Sequence, residues 1–270
     1  MTYDKDKEYW HIPKRTDLHQ SIIFTMGVAE KYHKKTWNAS AQDRLGSYLA
    51  KKGATNNGRN ITPQSIRTLL AAIPQYFGFV YINSSTTPST IEITEAGKKL
   101  IEENKDFINK NRFNNLIIGK QKKLTINISN TFLNQFKKLQ ITNPFVEQFC
   151  DNIYVFPLYC SLYLIKELGH LTNEEIAIYL FRTKSNDELD FKKKEIEIFR
   201  NLEIGQKHNL VKEFKKTDIG NKSLVQAPLV GYFLSICKMT NLFKVEDNKL
   251  SLKKEMLETA NNIINELKNY

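Results

Sequence analysis

Glu103-Asn-Lys105, Glu213-Phe-Lys215, Asp247-Asn-Lys249 and Glu266-Leu-Lys268 each place an acid two positions before a lysine. Nucleases that cut phosphodiesters with Mg²⁺ use that spacing. A further acid and the triplet's acid hold the ion from adjacent strands, and the lysine orients the attacking water. Here the first and last triplets fall in helical patterns, and Asp247 falls in a turn between two short strands. Only Glu213 has a strand as an option, and the acids upstream of it (Asp187, Glu188, Asp190) precede a helix. A chain with 40 Lys+Arg and 29 Asp+Glu produces such triplets by chance. The reading is no catalytic residue and no metal ligand. Cys150, Cys160 and Cys237 form no C-x-x-C pair and lie in apolar runs, as buried reduced thiols do. The five histidines show no zinc-binding spacing. No P-loop, Gly-rich phosphate cradle or Ser/His/Asp arrangement is present.

The chemistry on offer is recognition of a polyanion. The formal net charge is +11, for which nucleic acid is the obvious partner and solubility alone the plain alternative. Lysines meet phosphates, arginine reads guanine edges, and asparagine or glutamine reads adenine. Asn56, Asn57, Arg59 and Asn60 gather in one loop, followed by Gln64, Ser65 and Arg67 at a helix start. Gln64, Arg67 and Thr68 fall off the apolar stripe Ile66, Leu69, Leu70 and Ile73, as groove-facing residues must. A second group reads as a basic loop suited to phosphates: Lys207, Asn209, Lys212, Lys215, Lys216, Asn221, Lys222 and Gln226. Arg200 is a further DNA-binding candidate, with a helix-surface ion pair as its alternative.

These groups need elements to position them, and one pattern of elements occurs twice. Ile66, Leu69, Leu70 and Ile73 give a helix face, followed by Val80 and Ile82, a polar turn, then Ile91 and Ile93. Leu229, Tyr232, Phe233 and Ile236 repeat the face, followed by Phe243 and Val245, then Leu250 and Leu252. A helix followed by a β-hairpin is the second half of a winged-helix unit. Helices are predicted over 16–35, from Asn38 to Lys51 with Gly53 beyond, from Thr62-Pro63, and over Glu95 to Glu103. Further helices are predicted from Tyr154 to Leu168, closed by Gly169, from Glu188 to Leu202, and from Met256 to Leu267. Thr172-Asn-Glu-Glu175 spells a capping box. The predicted fold is mostly α (α+β), with two tandem winged-helix or helix-turn-helix modules bearing small β-hairpin wings. Module 1 spans 1–104 and module 2, with its C-terminal helix, 151–270. The connector 105–150 has a weak strand at Leu124 to Ile128 and a helix at Thr131 to Leu139.

Several of these segments resemble the AlwI/BstNBI-like type IIS restriction and nicking endonucleases. Phe77-Gly-Phe-Val-Tyr-Ile82 and Ile93-Thr-Glu-Ala-Gly-Lys-Lys-Leu100 look like that family's wing and following helix. Trp37 and Gln42 are similar to an earlier motif, Pro157 to Leu180 to a central helix pair, and Ile198-Phe-Arg-Asn201 to a short signature after it. Thr240-Asn-Leu-Phe243 and its hairpin resemble the end of the recognition region, so the likeness runs in collinear order from Trp37 onward. The resemblance implies an N-terminal DNA-recognition region that reads a short asymmetric site, with a separate Mg²⁺-dependent nuclease domain cutting to one side. On this reading the nuclease lies outside these residues, and no cofactor is held by the chain itself. The expected partners are double-stranded DNA and a nuclease domain or subunit, linked or separate, joined or recruited near the C-terminal helix, whose apolar stripe has packing onto its own hairpin as the alternative. The opening residues are charged and the longest apolar run, Ile153 to Ile165, is too short to span a bilayer, so no membrane and a cytoplasmic location are expected. A winged-helix transcriptional regulator or plasmid replication initiator is the alternative, and a protein-interaction winged helix a third.

Overall fold

The computed structural model describes residues 8–12, 18–51, 62, 64, 66, 73–105, 130–141, 152–226 and 229–268. These divide into two units, Lys14–Gln135 and Met1–Pro13 with Phe136–Tyr270. The described residues are mostly helical, with two small antiparallel sheets.

In the first unit, helix α1 (Leu18–Lys31) leads through strand β1 (Lys35–Thr36) to α2 (Ala39–Lys51). Asn38 starts α2 as the sequence predicts: its Oδ1 accepts the Ala41 N–H at 2.9 Å, satisfying a donor the first turn leaves open. Gln64 and Ile66 are helical, and the Ile66 N–H donates to the Thr62 carbonyl at 3.0 Å. Helix α3 (Ile73–Tyr76) precedes strands β2 (Val80–Asn83) and β3 (Thr90–Ile93), the predicted hairpin. The sheet order is β1-β3-β2, so the short first strand pairs with the last. Helix α4 (Glu95–Glu103) is capped by Thr94, whose Oγ1 accepts the Gly97 N–H at 3.0 Å. A Cβ on Gly97 would sit 2.2 Å from the Phe79 carbonyl oxygen, so the helix meets the hairpin only through a glycine. Phe24, Trp37, Leu45, Leu49, Ile66, Val80 and Ile91 form the core. Helix α5 (Asn130–Lys138), one residue longer at its start than the expected Thr131, closes on this unit through Phe132. Its ring stacks on Phe77 at 4.9 Å, and Gln135 donates to the Phe77 carbonyl at 2.8 Å.

In the second unit, helix α6 (Pro157–Leu168) opens on its proline and closes at Gly169, whose φ of 82° is the left-handed conformation glycine tolerates. It starts three residues after the expected Tyr154, since Pro157 supplies a natural first helical position. Strand β4 (His170–Thr172) runs into α7 (Asn173–Ile178), and the capping box forms as predicted between Thr172 and Glu175. Helices α8 (Leu189–Asn201), α9 (Ile204–Lys216), α10 (Asp218–Leu224) and α11 (Leu229–Met239) follow. Strands β5 (Phe243–Glu246) and β6 (Lys249–Leu252) precede the terminal helix α12 (Leu257–Leu267). The sheet order is β4-β6-β5, the arrangement of the first unit repeated.

The sequence reading of Lys207 to Lys222 as a loop is corrected here: the stretch is two helices, α9 and α10, joined at Thr217. Buried Phe214 is the sole apolar residue of α9 with full cover, so its helical stripe is too narrow to stand out among lysines. Tyr9–Ile12, grouped with the first module by chain order, pack in the second unit. Trp10 donates its N–H to the Phe181 carbonyl at 2.8 Å and sets its ring edge-on to Phe181 and Phe233. The strand expected at Leu124 to Ile128 lies outside the described residues.

Candidate nucleic-acid interface

The candidates Asn56, Asn57, Arg59, Asn60, Ser65 and Arg67 lie outside the described residues. Gln64 is described, helical and exposed, within the first turn of the helix that Thr62 opens. Two residues on, Ile66 is fully buried in the core, so the expected division between a core stripe and an outward polar residue holds at the described positions.

The second group sits on α9 and α10. Asn209, Lys212, Lys215 and Lys216 are exposed on α9, and Lys222 and Gln226 are exposed on or just beyond α10. Asn221 is half-buried. Two lysines have local partners: Lys216 pairs with Glu213 at 2.6 Å and Lys222 with Asp218 at 2.7 Å. Lys222 is also what holds the Asp218 carboxyl below the ordinary carboxylate range. Exposed ion pairs of this kind are weak and screened by solvent, so a phosphate can displace either carboxylate at little cost. Lys212 and Lys215 have no carboxylate partner among the described residues.

Arg200 and Lys207 are placed differently. The Arg200 guanidinium donates from Nε to Glu175 Oε1 at 2.7 Å and from Nη2 to Glu175 Oε2 at 2.9 Å. Its remaining contacts are the Leu168 carbonyl at 3.0 Å from Nη1 and the His170 carbonyl at 2.6 Å from Nη2. Glu175 is almost fully buried, and it is also the carboxylate that completes the α7 capping box. The fork of Arg200 thus joins α8, α6, β4 and α7 through an ion pair with a buried carboxylate, which differs from the helix-surface pair expected as its alternative. Lys207 is half-buried and donates its Nζ to the Arg200 carbonyl at 2.5 Å. His170, between these groups, has its pKa lowered first by burial and then by the Arg200 charge.

Beside this network a groove of about 520 Å³ is lined by His170, Thr172, Glu174, Arg200, Lys207 and Lys215 among others. Its walls carry acids as well as cations, and next to it α9 presents exposed Lys212, Lys215 and Lys216. Each acid–any–lysine triplet is now placed. Glu103 ends α4, Glu266 is on α12, and Asp247 is in the β5–β6 turn. Glu213, the one with a strand option, is on helix α9, which corrects that option. A further triplet not singled out in the sequence, Asp190-Phe-Lys192, lies in the first turn of α8, where Asp190 accepts a hydrogen bond from the Tyr163 hydroxyl. Among the described residues no group of three His, Cys, Asp or Glu is placed to hold a metal ion, and no helix is long and apolar enough to cross a membrane.

A similar fold is known from a DNA complex. The chain is similar to the BpuJ1 endonuclease binding domain, solved with pyrene- and phenanthrene-modified DNA, at a TM-score of 0.56 and 15% identity, over 97% of this chain and 85% of that one. At that identity the likeness carries the fold. Comparison with curated proteins finds no match. The family model for the AlwI restriction endonuclease matches residues 75–269. The chain belongs to that family, as the resemblance of its motifs implied.

Proposed function

We propose that this chain is a sequence-specific double-stranded DNA-binding protein, the recognition region of a type IIS restriction or nicking endonuclease. It reads a short asymmetric site as one body through two winged-helix modules. A Mg²⁺-dependent nuclease domain or subunit, linked or recruited, performs the cleavage. The observation that carries this reading is the repeated arrangement of helix, hairpin and inserted third strand (β1-β3-β2 and β4-β6-β5) in a chain of net charge +11 that belongs to a restriction endonuclease family. A helix followed by a small wing is a shape that fits a groove and its flanking phosphates. Membership of the family, and the DNA held by a protein of similar fold, support the same partner.

Selection of bound duplexes from a random pool tests the reading. One asymmetric motif, bound by one copy of the chain, is expected. A palindrome with half-sites about one helical turn apart would instead identify a dimeric regulator. With Mg²⁺ and the selected duplex, these 270 residues are expected to bind and leave both strands intact. Nicks at a fixed offset that disappear in Glu213→Ala would place the cleavage chemistry inside this chain and overturn that part of the proposal.

A further inference from the structure

One segment repeats between the units without insertion or deletion. Ile66 corresponds to Leu229, Ile73 to Ile236, and Val80–Asn83 to Phe243–Glu246. Gly78 (φ 69°) corresponds to Asn241 (φ 59°), so even the left-handed residue before the strand is kept. The return strand closes alike: the Thr94 N–H donates to the Phe79 carbonyl at 3.0 Å, and the Lys253 N–H to the Leu242 carbonyl at 2.9 Å.

This register places Ala227, Val230 and Gly231 where the first unit has Gln64, Arg67 and Thr68. None of the three carries a side-chain donor or acceptor, and Val230 is buried. The outward side of α11 is left with Gly231, Ser235 and Lys238, next to Tyr232, expected on the core stripe and half-buried, and the Ser235 hydroxyl donates to the Gly231 carbonyl at 2.9 Å. The helix that should enter a groove in the second unit therefore lacks the amide and guanidinium groups that read base edges.

The second unit carries something else. Between α7 and α11 the chain runs from Tyr179 to Pro228, whereas in the first unit the described helical residue Gln64 comes only 13 positions after Lys51, the end of α2 (64 − 51). That added stretch contains α9, whose exposed side presents Gly205, His208, Asn209, Lys212, Lys215 and Lys216. A Cβ on Gly205 would meet nothing within 4 Å, so this side is open. The helix is nevertheless closely packed at its C-terminal end. A Cβ on Gly220 would stand 1.8 Å from the Phe214 carbonyl oxygen, and Thr217 alone makes the turn, donating to that same oxygen at 2.7 Å and accepting the Gly220 N–H at 3.0 Å.

We propose that α9, and not the hairpin-adjacent α11, is the element with which the second unit contacts duplex DNA, with Lys212 and Lys215 against phosphates. The inference rests on the DNA-recognition reading above. The test measures affinity of the 270-residue chain for a mixed-sequence DNA duplex as a function of salt. Each lost phosphate contact lowers the slope of log K against log salt by about 0.9. Lys212→Ala/Lys215→Ala should therefore flatten the slope by about 1.8, or about 60-fold weaker binding at 0.1 M salt for affinities matched at 1 M. Lys212→Gln/Lys215→Gln should do the same, and an unchanged thermal midpoint in either pair shows that the fold is intact. Ser235→Ala/Lys238→Ala should leave the slope as in the wild type. Equal salt dependence for the wild type and both α9 pairs would overturn the assignment and leave DNA recognition standing. Absence of salt-dependent binding by the wild type would overturn DNA recognition itself.

Discussion

Arg200 is the residue whose role changes most between a one-dimensional and a three-dimensional reading. Its partner Glu175 is 2% exposed, so removing the guanidinium strands a carboxylate in the interior. Arg200→Ala should lower stability by about 3 kcal/mol, the lower end for a broken buried pair because Arg200 keeps part of its surface in water. A reduced urea midpoint at unchanged slope would show it. Arg200→Lys should rescue little, since an ammonium cannot reproduce the two-pronged contact and the two carbonyl bonds. His170 beside it gives a pH signature. Its folded pKa lies below the ordinary 6.5, so the unfolded chain takes up the proton more readily. The associated stability is complete above about pH 7 and is lost as pH falls through 6.5 towards the folded value. His170→Gln should flatten stability against pH in that window; an unchanged slope would mean that another group supplies it. Cys160 and Cys237 are buried and free, and burial pushes both thiols well up. They should resist a thiol reagent in the native protein and react on unfolding.

Elements in this chain are joined by close backbone approach as much as by side-chain packing, and the glycines separate the two. Gly220→Ala would drive a methyl into the Phe214 carbonyl, which neither helix can yield without opening the Thr217 turn. A loss of about 3 kcal/mol is expected. Gly205→Ala, on the open side of α9, should be neutral or raise stability by about 0.5 kcal/mol, because alanine loses less backbone freedom on helix formation. Equal effects of the two substitutions in a denaturant titration would mean that α9 and α10 are not packed as described. The same contrast bears on the proposed DNA contact, which needs a helix fixed on its inner side and free on its outer one.

At the scale of the whole molecule, two units share one sheet order and differ in what surrounds it. In sequence the first has its polar residues just ahead of the hairpin stripe, and the second carries α8, α9 and α10 between α7 and α11. Duplex binding by the proposed reading depends on phosphate neutralisation and not on a metal held by the chain. Affinity at constant ionic strength should then be the same with Mg²⁺ chelated as with a matched monovalent salt. A specific loss on chelation would point to a bound ion and revise that reading.

The sequence by itself determined the features that near neighbours control. Apolar residues at helical spacing place the Leu229 stripe and the described members of the first, Ile66 and Ile73, and alternation marks Val80–Asn83 and Phe243–Glu246. Asn38, Thr172 with Glu175, and Gly169 mark helix ends because capping is a matter of three or four residues. The family resemblance rested on such local motifs, and the match over residues 75–269 agrees with it. Tertiary structure alone decided the rest. Strands β1 and β4 are too short to carry a pattern and exist because the hairpins' edge carbonyls and N–H groups need partners. Tyr9–Ile12 pack in the unit far from them in sequence, through Trp10. Helix α9 is stabilised by one buried phenylalanine and a backbone contact at Gly220, neither of which has a period. Arg200 looks the same in sequence whether it faces a phosphate or Glu175. Only the fold brings that carboxylate within 2.7 Å, because an ion pair's strength depends on distance and burial that residue spacing does not encode.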